Sequence, residues 1–501
     1  MSLISTRQID DLRILASSEL NQEMRSDLGQ FMTPSSVADF MTDQFKNWSG
    51  DIKLLDPGAG IGSLTESFVR KSATEKLVKK IHISAFEIDK VLLGYLEDNL
   101  TKLKETSKQK LSHEVFSTDF IFEGAKCNNE SYGFTHIILN PPYKKIPANS
   151  KHRSALKEIG IEAPNLYVAF LALSIHLAKD GAEIVAIIPR SFCNGLYFRP
   201  FREWLFRQVA INSIHVFESR KKAFKDDEVL QENVIIRLTK GQKQEQVKIS
   251  ESADSTFNDY RERYADFEEV VHKEDTEQYI RIPDLIALDT NFLSHTLEDL
   301  GINVSTGPIV DFRTKEYWAP EDQSEIAPLL YPHHFNGGEI KWPREHKKPN
   351  AIFVNANTKK LLMPRGWYVL VKRFSSKEEP RRVVANVINP EVYSHEFYGF
   401  ENHLNVLHVN KQGFSKDLAC GLSVFLNTTM LDKYFRTFSG HTQVNATDLR
   451  TMRFPSPDTL TKFGQWAQTQ DSLTQQAIDG FIGQYVQVQT GAKNHSVTRN
   501  S

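Results

Sequence analysis

The stretch LLDPGAGIGSLTESFV, residues 54–69, decides the fold. Its apolar start reads as a buried strand that ends at Asp56 and Pro57. Gly58, Gly60 and Gly62 then form a turn that tolerates positive φ and lets a ligand come close to the backbone. From Ser63 onward the pattern is helical, with the first amides pointing back at the turn, where they favour polar or anionic groups. Strand, glycine turn and helix are the opening of a βαβ unit. A glycine turn alone is shared by many nucleotide sites. Here it has the form G-x-G-x-G behind Asp56 and lacks the Lys-Ser/Thr of a phosphate loop, which argues against nucleoside triphosphate chemistry.

The same rhythm runs outward from this stretch. IKLLD, IHISAFEID, HEVFSTDF, THIILNPPY, EIVAIIP, INSIHVF and ENVIIRL read as strands, with helical patterns at 64–73, 89–105 and 165–179. Upstream, residues 5–28 read as a helix, and SSVADFMTDQF starts another behind Pro34. Alternating strands and helices imply a parallel α/β sheet that binds its ligands at the carboxyl ends of the strands. The second strand delivers Glu87 to that edge, where an acid accepts both hydroxyls of a ribose diol. The third delivers Asp119 and Phe120, suited to the amino group and the ring face of an adenine. A nicotinamide cofactor satisfies the same acid–ribose logic, so these positions alone leave the cofactor open.

The fourth strand ends in NPPY, residues 140–143. Two prolines fix the backbone and remove amide donors, leaving carbonyls as acceptors. The Asn140 side-chain oxygen and the Pro141 carbonyl are therefore expected to accept both hydrogens of one amino group. An aromatic amine is a poor nucleophile because its lone pair is delocalised into the ring. Two acceptors that favour a tetrahedral nitrogen localise the pair and stabilise the charge that develops on attack. Tyr143 supplies a stacking face for a planar base.

Length and composition set the outer limits. A chain of 501 residues implies two or three domains, and 40% apolar with 25% charged residues is ordinary for a soluble protein. No apolar run is long enough to span a membrane, and the start, MSLISTRQIDD, lacks the apolar core of a signal peptide, so a cytoplasmic location is expected. Cys127, Cys193 and Cys420 are scattered and read as small buried hydrophobes. His333, His334 and His441 lack acids or thiols at ligand spacing, so no metal site is expected. Residues 251–300 hold 14 acidic against 4 basic side chains, and residues 331–382 hold 12 basic against 4 acidic. The second stretch suits a surface that meets phosphates, though a merely solvated face would look the same.

Taken in order, GQFMTP, DPGAGIGSL, FEID, STDF, NPPY, NLYVAFL, IIPRSFCNG and FKDDEVLQENVII, spanning roughly residues 29–238, resemble the DNA adenine-N6 methyltransferases of the gamma, or TaqI-type, motif order found in restriction–modification systems. The resemblance implies S-adenosylmethionine as methyl donor and a Rossmann-like methyltransferase sheet with helices on both faces, followed by a mixed α+β target-recognition domain. It implies that Thr33 holds the methionine end of the cofactor, that Asp56, Gly58 and Gly60 form its loop, that Glu87 holds the ribose, and that Asp119 and Phe120 hold the adenine. Asn140 and Tyr143 would grip the target base. The family's second stacking aromatic falls in FKDDEVLQENVIIRL, where the strand ends in Leu238 and Phe224 is the nearest alternative. The target base, unreachable inside a duplex, would flip out at a cost of a few kcal/mol.

The expected domains are residues 1–245 for catalysis, 246–470 for target recognition and 471–501 for a C-terminal helix and a disordered tail. Within the second, GWYVLVKRFSSKEEPRR interleaves aromatics with Lys372, Arg373, Lys377, Arg381 and Arg382, a candidate phosphate-tracking stretch. Gln443, Asn445 and Arg450 have side chains able to read bases in two-point contacts. Their segment, SGHTQVNATDLRTMRFPSP, resembles one recurring among larger adenine methylases with different targets, which favours packing or backbone contact instead. The expected partner is double-stranded DNA, with a cognate restriction endonuclease alongside and the chain acting as a monomer. RNA or protein-glutamine methyltransferases that share NPPY, and a catalytically idle DNA-binding subunit, remain the alternatives.

Overall fold

Leu54 and Leu55, adjacent on β1 (Gly50–Pro57), face opposite sides of one sheet and are both fully buried. Leu54 packs with Val37, Phe68 and Leu100, whereas Leu55 packs with Ile137, Phe170 and Leu173. A strand covered on both faces must be apolar at consecutive positions, which explains the runs in β1 and in β4 (Phe134–Leu139). The computed structural model describes residues 6–20, 32–107, 109–127, 132–217, 232–283, 292–375, 379–439 and 442–483.

The remaining strands of this sheet are β2 (Val78–Phe86), β3 (Lys110–Phe116), β5 (Ala178–Pro189), β6 (Val209–Phe217), β7 (Asn233–Lys240), β8 (Val247–Ser252) and β9 (Arg261–Ala265), in the order β3-β2-β1-β4-β5-β7-β6-β8-β9. β3, β2, β1, β4 and β5 are mutually parallel. β7 departs from the all-parallel expectation, running antiparallel to both β5 and β6. Antiparallel neighbours need no crossover helix, and β7 follows β6 in the chain and pairs with it directly.

Helices α1 (Thr6–Glu19), α2 (Ser35–Asp43), α3 (Ser63–Ser72), α4 (Lys90–Thr106), α5 (Phe120–Gly124), α6 (Lys151–Glu158), α7 (Leu166–Leu177) and α8 (Arg199–Gln208) complete the catalytic half. α2, α3 and α4 cover one face of the sheet and α7 the other. α7 is apolar almost all round because it is buried almost all round. Asp89, Asp119, Ser150 and Asn165 cap α4, α5, α6 and α7 with their side chains, and for α4 and α5 this starts the helix at the strand-end motif.

The chain divides into Met1–Leu285 and Ile286–Ser501, later than the boundary expected near residue 245. The reason is that β8 pairs in parallel with β6 and β9 extends the sheet again, so Val247, Ile249 and Ala265 join the catalytic core. The second unit is mixed α+β, with a six-stranded and a five-stranded sheet and helices such as Lys416–Leu426 and Pro457–Ala467. These two helices touch backbone to backbone: a Cβ on Gly421 would lie 1.8 Å from the Leu460 carbonyl oxygen. Residues 475–483 are helical and belong to this unit, with Phe481 stacked on Trp466 at 4.1 Å and Asp479 accepting from Thr429. The tail beyond residue 483 lies outside the described residues, as do Phe224, Lys377 and His441. Among the described residues no helix is long and apolar enough to cross a membrane.

Candidate active site and cofactor cavity

At the carboxyl ends of β1, β2 and β4 lies a cavity of about 370 Å³, within the range of small-molecule sites. The glycine turn forms its floor. Gly60 has φ +58°, and its amide donates to Glu87 Oε2 at 2.9 Å. Gly62, at φ +84°, starts α3, and a Cβ there would meet Leu96 Cδ1 at 2.9 Å. The turn is therefore held open by an acid from the neighbouring strand and closed behind by α4.

Glu87 is buried, and its second oxygen accepts from the amides of Ile88 and Asp89, both at 2.8 Å. Burial pushes its carboxyl above the usual range, and these backbone bonds oppose the shift. A carboxylate offers about four lone-pair positions, so three backbone amides leave capacity for a ribose hydroxyl. Asp119, which lines the cavity, uses Oδ1 to cap α5 through Ile121 N at 2.8 Å, and its Oδ2 lies 2.8 Å from His152 Nε2. Phe120 lines the cavity, its ring packed between Phe86 and Phe170.

Asn140 lines the same cavity on the side of β4. Its Nδ2 donates to the Thr33 hydroxyl at 3.0 Å, and its Oδ1 accepts from the Tyr143 hydroxyl at 3.3 Å. The Tyr143 ring stands edge-on to Tyr167, with centroids 6.2 Å apart, which holds its plane. Thr33, from the segment before α2, Gly58 and Gly60 from the turn, and Glu87, Asp119, Phe120 and Asn140 from the strand ends thus meet around one cavity.

Asp56 does not line it. This acid is fully buried behind the turn, with Oδ2 bonded to Thr65 Oγ1 at 2.6 Å and Oδ1 without a partner among the described residues. Burial pushes its carboxyl up to about 7. Pro141 is buried beside the cavity, while Pro142 forms part of the wall. Sequence reasoning missed Phe170, Ile88 and His152, which also line the cavity. Phe170 was within reach, since NLYVAFL starts at the same edge. His152 carried no signal, because its place depends on how the chain folds back after NPPY.

The second unit redirects most of the residues expected to touch DNA. Arg382 is fully buried, with its amide on Asp432, Nε on Ser375 Oγ at 3.1 Å and its guanidinium 5.3 Å from the Phe435 ring centre. It cannot track a phosphate. Arg381 donates to Gln475 and to the Leu426 carbonyl, and Arg450 to the Val304 carbonyl at 2.8 Å. Lys372 pairs with Glu379 at 2.8 Å, and Arg373 donates to the Asn402 carbonyl at 3.1 Å. Asn445 caps the helix Ala446–Thr451 in a reciprocal bond with Asp448, and Gln443 bridges Phe374 through its backbone. These side chains tie the unit together. His334 is likewise structural, bonded to the Tyr331 amide and to Asn350, while His333 stacks on His346 with centroids 3.9 Å apart. No group of three or more His, Cys, Asp or Glu side chains among the described residues is arranged to hold a metal ion.

A Rossmann-like sheet with an acid-braced glycine turn, an acid at each of the next two strand ends and Asn-Pro-Pro-Tyr at the fourth defines an S-adenosylmethionine-dependent methyltransferase. The cavity's volume, its Phe86, Phe120 and Phe170 rings and the Glu87 and Asp119 carboxylates fit that cofactor's ring, hydroxyls and cationic groups. The family model for the Eco57I restriction–modification methylase matches residues 41–224. The chain is 50% identical over 456 residues to the type II methyltransferase M.BsuBI of Bacillus subtilis, covering 88% of this chain and 90% of that one. It is 41% identical over 500 residues to the type II methyltransferase M.PstI of Providencia stuartii, covering 96% and 97%. The chain belongs to the type II methyltransferases of restriction–modification systems, with its motifs in the gamma order. Its fold is similar to that of the type IIL restriction–modification enzyme MmeI solved in complex with DNA, with TM-score 0.50 and 12% identity over 89% of this chain and 69% of that one.

Proposed function

We propose that this enzyme methylates N6 of an adenine flipped out of double-stranded DNA at one short recognition sequence. The observation that carries the reading is the Asn140 carboxamide, held at the cavity edge between Thr33 and Tyr143. S-adenosylmethionine supplies an electrophilic methyl group on a sulfonium sulfur. Asn140 Oδ1 and the Pro141 carbonyl accept the two N6 hydrogens and draw the nitrogen toward a tetrahedral, nucleophilic geometry. Tyr143 gives the base a ring face in place of the stack it leaves. Positioning and electrostatics supply the rate, with no covalent enzyme intermediate.

Residues 286–501 serve as the sequence reader in this reading. Support comes from the excess of positive charge between residues 331 and 382. With Arg382 buried and Arg381 held against Gln475 and Leu426, the exposed basic edge shifts to residues 341–348, which carry Lys341 and Lys347 beside Arg344, bonded to the His333 carbonyl, and Lys348, paired with Asp311. Phe224 stays the candidate for the second face of the base. The enzyme acts as a monomer beside a cognate endonuclease that cuts the same, unmethylated sequence.

The test is mass spectrometry of nucleosides from DNA of methylation-free cells expressing the protein. N6-methyladenine confined to one sequence context supports the proposal. A methylated cytosine, or methylation of RNA or protein alone, overturns it.

A further inference from the structure

The chain between Tyr143 and α7 makes an excursion that becomes one wall of the cofactor cavity. Lys144–Ile146 runs against Pro164–Leu166, with Ile146 N on the Pro164 carbonyl at 3.0 Å and Leu166 N on the Lys144 carbonyl at 2.8 Å. The excursion is anchored by Leu156, Ile161 and Ala163, all buried in the catalytic core. α6 lies at its tip and turns His152 inward to the cavity.

His152 Nε2 lies 2.8 Å from Asp119 Oδ2, and its ring stacks on Phe122 with centroids 4.6 Å apart and planes 19° apart. A carboxylate only accepts hydrogen bonds, so Nε2 carries the proton and donates. The same acid spends Oδ1 on the amides of Ile121 and Phe122. Each oxygen of Asp119 is therefore held by a different element, Oδ1 by α5 and Oδ2 by α6. The carboxylate plane cannot turn without losing one of them. Oδ2 keeps a second lone pair, and Asp119 and His152 both line the cavity.

We infer that His152 is a positioning residue of the cofactor site: it locks Asp119 so that Oδ2 accepts from the exocyclic amino group of the cofactor's adenine. This rests on the assignment of Asp119 to the adenine. A locked acceptor loses little entropy on binding and rejects a ring that carries an oxygen in place of the amino group, because two acceptors would then face each other. His152 thus sets discrimination at the purine 6-position, and it does so from the segment that continues NPPY.

The experiment measures binding of S-adenosylhomocysteine and S-inosylhomocysteine to the DNA-free enzyme by calorimetry. The two ligands differ at position 6, amino against oxo, and in the N1 hydrogen that the oxo form carries; the change in the ratio of their dissociation constants between variants is the readout. His152→Ala should cut that ratio by about tenfold, the worth of one charge-assisted hydrogen bond. His152→Gln, which still offers an N–H, should recover most of it. Thermal unfolding confirms that each variant is folded. A His152→Ala enzyme with the wild-type ratio overturns the inference, and so does an equal loss for both ligands, which marks a packing role only. Asp119→Asn, which keeps the helix cap, separates the two layers. If it collapses the ratio while His152→Ala does not, only the His152 inference falls. If it leaves the ratio untouched, the adenine assignment of Asp119 falls with it.

Discussion

Thr33, at the start of α2, receives the amide nitrogen of Asn140, at the end of β4, in a hydrogen bond of 3.0 Å. The two are far apart in sequence, and the bond decides which way the Asn140 carboxamide faces. With Nδ2 donating to Thr33, Oδ1 lies on the side of the Tyr143 hydroxyl and is the carboxamide's acceptor atom, the one proposed to meet an amino group. Thr33→Val should therefore lower turnover on DNA by about tenfold, with a much smaller change in S-adenosylhomocysteine affinity, and Thr33→Ser should restore it. Single-turnover methyl transfer and calorimetry on the same preparations check this. Equal losses in turnover and cofactor affinity would assign Thr33 to the cofactor alone.

Asn140 itself carries more. Removing its carboxamide by Asn140→Ala should cost at least about a hundredfold in the methyl-transfer rate. Cofactor binding should survive, because the glycine turn, Glu87 and Asp119 are untouched. Retained transfer would exclude the role.

Glu87 braces the glycine turn and is the proposed ribose acceptor, and one substitution tests both. Glu87→Gln keeps one acceptor oxygen but puts an NH2 against amide donors that now surround both oxygens, Gly60 on one side and Ile88 with Asp89 on the other. The expected result is a rise of about tenfold or more in the cofactor dissociation constant together with a lower melting temperature. An unchanged affinity would remove Glu87 from the ribose site.

Asp56 predicts a pH dependence of stability. Its folded-state carboxyl is pushed up to about 7 by burial, against an unfolded value near the ordinary one. In that window the unfolded chain has released a proton that the folded chain still holds. The stability that Asp56 contributes is thus greatest below about pH 4, falls as pH rises from about 4 to about 7, and levels off above. Glu87 is shifted the same way, so Asp56→Asn should flatten the slope without erasing it. Urea unfolding at a series of pH values reads this directly, and an unchanged slope would refute the assignment.

Arg382 and the edge at residues 341–348 give opposite outcomes. Arg382→Ala removes a buried cation from Ser375, Phe435 and their neighbours, and should destabilise the second unit by about 3 kcal/mol or more. Lys341→Glu with Lys347→Glu should leave melting unchanged, weaken binding to every DNA sequence and flatten its salt dependence. Salt titrations on specific and random duplexes distinguish the two.

Much of the catalytic half was legible before any coordinates. All seven strand segments from IKLLD to ENVIIRL contain strands in the structure, and the buried ones that stop at a turn, as β1 does at Pro57 and β5 at Pro189, announce both their core and their edge. Glu87, Asp119 and Asn140 were legible because each sits where an apolar run stops, and residues at strand ends in a doubly wound sheet converge on one edge. The boundary was misplaced because β8 and β9, short and half polar, show no periodicity that assigns them to one sheet over another.

The sequence by itself determined the class of chemistry: the ordered motifs specify a methyltransferase sheet, its glycine turn and the Asn-Pro-Pro-Tyr segment at its edge. Only the tertiary structure decided partnership. Arg382 looks like a phosphate contact in a basic run, yet the fold buries it against Phe435 and Asp432. His152 looks like an exposed residue on a short polar helix, yet the excursion after NPPY carries it to Asp119. Charge and periodicity are properties of neighbouring residues in the chain. Burial and pairing depend on segments brought together from far along it, and those contacts exist only once the chain has folded.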